Sequence, residues 1–143
     1  MLGKSPDGLG WGVSDFRKLN VWRKADALAL NVHQVAKRIR GSDYAALRSQ
    51  MMRASMSVPT NIVEGNGQKS RREFARFVLI ALNSTSELEY HLLAGRDLAV
   101  ISEADFRSLS DQATEVRKML YGLQRTLLST ADKPAKKGST AVT

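Results

Sequence analysis

The chain has 143 residues, with 22 Lys and Arg against 14 Asp and Glu for a net charge of +8, 43% apolar residues and no cysteine. That length suits one domain with a core of its own, and the missing cysteine excludes disulfides, thiolate metal sites and thiol catalysis. No apolar run approaches the roughly 20 residues of a membrane span, so the chain reads as soluble and cytoplasmic, and its charge admits either a nucleic-acid partner or a merely basic surface.

Residues 1–14 hold four glycines and one proline. They lack the apolar stretch of a signal peptide and read as a flexible N-terminal segment. A first helix is predicted over about 20–40, where Val21, Ala25, Leu28, Val32, Val35 and Ile39 form one apolar stripe. Arg23, Lys24, Lys37, Arg38 and Arg40 fall mostly off that stripe. Lys37, Arg38 and Arg40 are expected in the last turn, where they complement the helix dipole, with Gly41 as the stop.

The second helix is predicted over about 43–65, with Ser42 as N-cap. Its stripe is Tyr44, Leu47, Met51, Ala54, Val58 and Ile62. Pro59 lies inside it and removes one backbone donor, so a kink or a break is expected. The stripe keeps its phase across Pro59, which favours the kink. A third helix over about 71–99 opens on a capping box, Ser70 with Glu73. Phe74, Phe77, Val78, Ala81, Leu88, Leu92 and Leu98 lie near its buried face, and its middle, Asn83 to Glu87, is polar. Its first half is apolar on more than one face, which points to self-association.

The fourth helix, about 103–129, starts at a similar box, Ser102 with Asp105. Phe106, Leu109, Ala113, Val116, Leu120, Leu123 and Leu127 give it the most regular heptad of the chain. Residues 131–143, small and lysine-rich, read as a disordered basic tail. There is no strand pattern. Four stripes with short links predict an all-α, antiparallel up-down-up-down four-helix bundle over 15–130.

Catalysis is not expected. His33 and His91 stand on different helices, and the residue three before His91 is Leu88, so the Glu-x-x-His ligand pair of di-metal bundles is absent. No metal or cofactor is expected. Gly65 and Gly67 precede a helix bearing Lys69, Arg71 and Arg72, where an anion could sit at the N-terminus; without a preceding strand this is no phosphate loop.

Two constellations remain. On the second helix Gln50, Arg53, Ser57, Asn61 and Glu64 form a polar stripe beside the apolar one, with Arg53 placed to meet Glu87 and Glu64 placed to meet an arginine. It reads either as a network that fixes helix register or as a ligand contact. If Arg53 and Glu87 are paired and buried, Arg53→Ala should cost roughly 3–5 kcal/mol, because it strands a buried charge. The basic residues form the second constellation: Arg23, Lys24, Lys37, Arg38 and Arg40, then Lys69, Arg71, Arg72 and Arg76. Phosphate binding requires them to converge; otherwise they are a solvated face. Trp11, Trp22 and Tyr121 are candidates to stack on bases, with Trp22 better suited to packing on the bundle.

Three runs carry a family resemblance. They are Asp15-Phe16-x-x-Leu19-x-Val21-Trp22-x-Lys24-Ala25, then Gln50-Met51-x-Arg53-Ala54-x-x-Ser57-Val58-Pro59-x-Asn61-Ile62-x-Glu64-Gly65, and Ser84-x-x-Glu87-Leu88-Glu89. Over about 15–128 the chain resembles the four-helix-bundle proteins encoded in intervening sequences of bacterial 23S rRNA genes. It departs at Asn83-Ser84, where the family pattern has Gly-Ser, a change that bears on close helix packing. The resemblance implies a left-handed bundle assembled into a homopentamer. It also implies a likeness in fold to the accessory variability determinant of diversity-generating retroelements, a basic pentameric barrel that binds nucleic acid and reverse transcriptase. It supplies no catalytic residue. Arg53, Ser57, Pro59, Asn61, Glu64, Gly65 and Glu87 match its signature and read as structural. The leading expectation is a homo-oligomer that binds RNA or other nucleic acid through basic patches. The alternative is an adaptor that docks a protein partner.

Overall fold

A computed structural model describes residues 15–131; the N-terminal segment 1–14 and the tail beyond Ala131 lie outside the described residues. The chain opens with a short 3-10 turn, Phe16–Lys18. Four helices follow: α1 (Asn20–Ala36), α2 (Ala45–Asn66), α3 (Arg71–Asp97) and α4 (Glu103–Ala131). A second 3-10 turn, Ser42–Tyr44, precedes α2. No strand occurs among the described residues.

The helices pack in a ring: α1 on α2, α2 on α3, α3 on α4 and α4 on α1. Among the described residues α1 makes no contact with α3, and α2 makes none with α4, so these pairs are diagonal. The predicted stripes meet in the middle. Leu28, Met51, Ile62, Leu88, Leu92, Leu109 and Leu120 are fully buried there, each burial contributing about 1.5–3 kcal/mol before entropy is counted. Phe77, Tyr44, Leu47, Phe106 and Leu123 are partly buried. Leu98, placed on the buried face of the third helix by its spacing, is 52% exposed because the helix has already ended.

The helix ends are where expectation and structure part. α1 stops at Ala36, four residues early. The amides of Arg38 and Ile39 donate to the carbonyls of Val35 and Ala36, three residues back, at 3.1 and 3.0 Å. This tightened turn swings Ile39 into the core, where it is 5% exposed. Gly41 then adopts φ 98°, which glycine alone takes without strain. Lys37, Arg38 and Arg40 therefore lie past the last helical turn and not within it. Ser42 does not cap α2; it starts the 3-10 turn, and Tyr44 occupies the cap position without a side-chain bond.

α2 runs unbroken through Pro59. The proline costs one bond, the one its amide would have given Ser55. α3 starts as expected, with Ser70 Oγ accepting from the Glu73 amide at 3.1 Å. It ends two residues early, at Asp97, and just beyond it Ala99 takes a left-handed φ of 62° that turns the chain away from the helix. α4 begins with Ser102 Oγ accepting from the Asp105 amide at 3.0 Å.

Candidate nucleic-acid interface

The basic residues of α1 divide between its two ends. Arg23 and Lys24 stand in the first turns, Lys37, Arg38 and Arg40 beyond the last one, about 20 Å away along the axis. Arg23 donates to the Arg17 carbonyl at 2.8 Å and to the Asn20 side chain. Lys24 pairs with Glu115 at 3.2 Å. Trp22 lies edge-on to Phe16 with ring centroids 4.9 Å apart and packs against the core.

At the far end the chain turns from α1 into α2, and four cations meet. Lys37, Arg38, Ile39, Arg40, Gly41 and Arg48 line one open depression. Arg48 braces it, donating to the Ile39 carbonyl at 2.7 Å. Arg38 is held on both sides, by the Gln34 carbonyl at 3.0 Å and the Asp105 carboxylate at 3.0 Å. Lys37 and Arg40 are exposed and, among the described residues, have no carboxylate partner. Asp43 stands on the next turn and does not line the depression. The early end of α1 is what builds this site, since it takes three cations off the helix surface and wraps them round Gly41. Arg48 was not singled out from the sequence. Its one signal there is a cation in the first turn of a helix, a position its charge disfavours.

The α3 cluster is separate. Lys69, Arg71, Arg72 and Arg76 sit at the start of a helix diagonal to α1. Arg76 is engaged by Glu73 at 3.1 Å, and its guanidinium lies 5.1 Å from the Phe77 ring centroid. The nine predicted contacts thus fall into three groups rather than one face. In the N-terminal turn, a hydrogen bond from the Arg17 guanidinium at 2.9 Å holds the Asp15 carboxyl below the usual carboxylate range.

The polar stripe of α2 also divides. Arg53 meets Glu87 at 3.1 Å, but the two side chains are 62% and 40% exposed. The pair belongs to the surface class, worth up to about 1 kcal/mol, and not to the buried one. Gln50 accepts from Arg53 at 2.6 Å, and His91 Nε2 stands 3.5 Å from Glu87. Deeper in, Ser57 and the buried Ser84 share a hydrogen bond of 2.8 Å. Asn61 donates to the Ser57 carbonyl at 2.8 Å and to its hydroxyl at 3.0 Å. Glu64 faces solvent and has no arginine partner among the described residues. Gly65 lets Phe74 approach so closely that an added Cβ would lie 2.6 Å from a ring carbon. Asn83, the departure from the family pattern, points outward and leaves the Ser57–Ser84 seam intact. Among the described residues no three His, Asp or Glu gather as a metal site. No helix there is long and apolar enough to cross a membrane.

The α2–α3 seam, built on Arg53, Ser57, Asn61, Gly65, Ser84 and Glu87, spans two of the three signature runs. The model of the 23S rRNA-intervening sequence protein family matches residues 17–122, which takes in α1 to α3 and most of α4. The chain belongs to this family. A solved structure from Bacteroides thetaiotaomicron is similar at 25% identity with a TM-score of 0.70, covering 74% of this chain and 99% of that one. It is described as a protein of unknown function from the S23 ribosomal protein family. Among curated proteins no match is found. For a 23S rRNA-intervening sequence protein, the signature thus describes the α2–α3 seam, while the basic corner lies outside its long run.

Proposed function

We propose that this protein is a non-enzymatic, nucleic-acid-binding bundle that grips the phosphate backbone at the α1–α2 corner, with RNA as its natural ligand. The convergence of Lys37, Arg38, Arg40 and Arg48 on one open depression carries the reading. Among the described residues two of these cations have no carboxylate to satisfy them, and a phosphate can take that place. The family's link to ribosomal RNA supports RNA over DNA and would put the protein to work in the cytoplasm. The order of contacts supports an antiparallel, up-down-up-down arrangement, which we take as left-handed and bent at Pro59. On α2 and α3, Gly65 meets Phe74, Ser57 meets Ser84 and Arg53 meets Glu87, so numbers fall on one helix as they rise on the other.

The test is a titration against structured RNA and duplex DNA of equal length at several salt concentrations. Log affinity should fall linearly with log salt, and Lys37→Gln with Arg40→Gln should make the duplex slope shallower by about 2, at roughly 0.9 per phosphate lost. A wild-type protein that binds neither ligand at low salt would end the proposal.

A second reading has its own observation. Leu79, Ile80, Tyr90 and Leu93 of α3 are 48%, 37%, 64% and 38% exposed. Such a face favours a protein contact. We assign it first to a further copy of the chain, in a homo-oligomer of the pentameric kind, and second to a docked partner protein.

A further inference from the structure

Tyr121 stands outside the apolar stripe of α4, and nothing in the bundle requires it. It is 49% exposed. Lys118, three residues before it, and Arg125, four after, are exposed on the same side of the helix. The three side chains cover about two turns, roughly 10 Å, within some 60° of arc. Next to Tyr121, a Cβ at Gly122 would meet only the Arg125 guanidinium, at 4.0 Å, so no other element covers the helix at that neighbouring position.

The surrounding charge is one-sided. Residues 116–131 contain no Asp or Glu. Two carboxylates of the adjoining turns are engaged, Glu115 with Lys24 at 3.2 Å and Glu89 with Arg117 at 3.1 Å; Asp132, next in the sequence, lies outside the described residues. Among the described residues Lys118 and Arg125 have no carboxylate partner. An exposed aromatic ring between two unneutralised cations suits a ligand that is flat, apolar on its face and flanked by anions. Unpaired nucleotides have that chemistry, with a base to stack and a phosphate on either side. A duplex keeps its base faces covered and cannot use the ring. A second copy laid on this face about a two-fold axis would set Lys118 and Arg125 against themselves.

We infer that the Lys118–Tyr121–Arg125 face of α4 is a stacking platform for unpaired nucleotides, so that the protein prefers single-stranded segments of the nucleic acid that the reading above assigns to it. The inference rests on that reading and adds to it a second contact, distinct from the α1–α2 corner.

The test compares Tyr121→Ala and Tyr121→Phe with wild type against a single-stranded oligouridylate and an RNA duplex of equal length, with circular dichroism and light scattering on each protein. Tyr121→Ala should lose about 5- to 150-fold in affinity for the single strand, the range expected for one stacked base. It should keep its duplex affinity and salt slope, and Tyr121→Phe should bind as wild type does. If wild type binds both ligands and Tyr121→Ala still binds the single strand equally well, the platform is overturned while the corner reading stands. Equal loss on both ligands together with a changed particle mass would also overturn it, marking the face as a contact between protein chains. If wild type binds neither ligand, both readings fall together.

Discussion

At single residues, the sharpest constraint is steric and falls on two glycines. A Cβ at Gly65 would lie 2.6 Å from Phe74 Cδ1 and 3.0 Å from Phe77 Cβ. The second of these atoms is fixed to the α3 backbone, so the helices must part. A Cβ at Gly95 would lie 2.3 Å from Ile101 Cδ1 and 2.9 Å from Ile101 Cγ1, both atoms of one buried side chain in the α3–α4 turn, which must change rotamer but need not move a helix. Both glycines stand in the last turn of their helices, where the helix-propensity gain of alanine is at most the roughly 0.5–1 kcal/mol of a helix interior. Gly65→Ala should therefore lose about 1–3 kcal/mol of stability, the usual cost of overpacking, while Gly95→Ala stays within about 1 kcal/mol of wild type. Urea unfolding of the two variants checks this, and equal effects would show that the α2–α3 seam is no tighter than the α3–α4 turn. Gly65 was readable in the sequence as a helix end, a neighbour of a candidate anion site and a signature residue with a structural part; its role under Phe74 depends on a residue nine positions on. Arg53 and Glu87 show the reverse case. Their pairing was legible from a polar stripe beside an apolar one, but their exposure was not, because a stripe at a helix seam reads the same whether the seam is open or closed.

For whole elements, periodicity located the helices and local chemistry decided their ends. Ser70 and Ser102 were recognisable as caps because an acidic residue follows each by three, and in both the hydroxyl accepts from the amide of that residue. Ser42 had no such partner in sequence, and in the structure it does not cap α2. Ser70→Ala and Ser102→Ala should each cost about 1 kcal/mol, whereas Ser42→Ala should stay within about 0.5 kcal/mol of wild type. Thermal unfolding of the three variants separates them; a loss at Ser42 equal to the others would mean that it caps α2 after all. The missed ends have a common cause. α1 yields at Ala36 so that Ile39 can reach the core, and α3 yields at Asp97 and turns away at Ala99, a residue with no stop signal, so that Ile101 can pack under Gly95. In each case a long-range contact overrides helix propensity within one turn. The basic corner was unreadable for the same reason, since it exists only because α1 stops before Lys37.

Across the whole molecule, the two proposed contact surfaces are of opposite character, and salt distinguishes them. The bundle and its ring of contacts followed from four amphipathic stripes; which charged residues face one another did not, because that depends on which helices are diagonal. Because α1 and α3 are diagonal, no shared helix–helix contact brings their basic groups together. The exposed apolar side chains of α3, in contrast, share a face: Leu79 and Tyr90 are eleven residues apart, close to three full turns, and Leu93 follows one turn later. Copies carrying a net charge of +8 repel each other. Added salt screens that repulsion and leaves apolar burial in place, so self-association through α3 should strengthen as salt rises. Backbone binding must weaken over the same range, because it depends on released counterions. Light scattering of the wild-type protein should therefore give a mass above that of one chain, rising or holding with salt. Leu79→Glu with Leu93→Glu should reduce it to one chain with the helical signal unchanged. A single-chain mass for wild type at every salt concentration would remove the self-assembly reading, and the exposed α3 face would then point to a different protein as its partner.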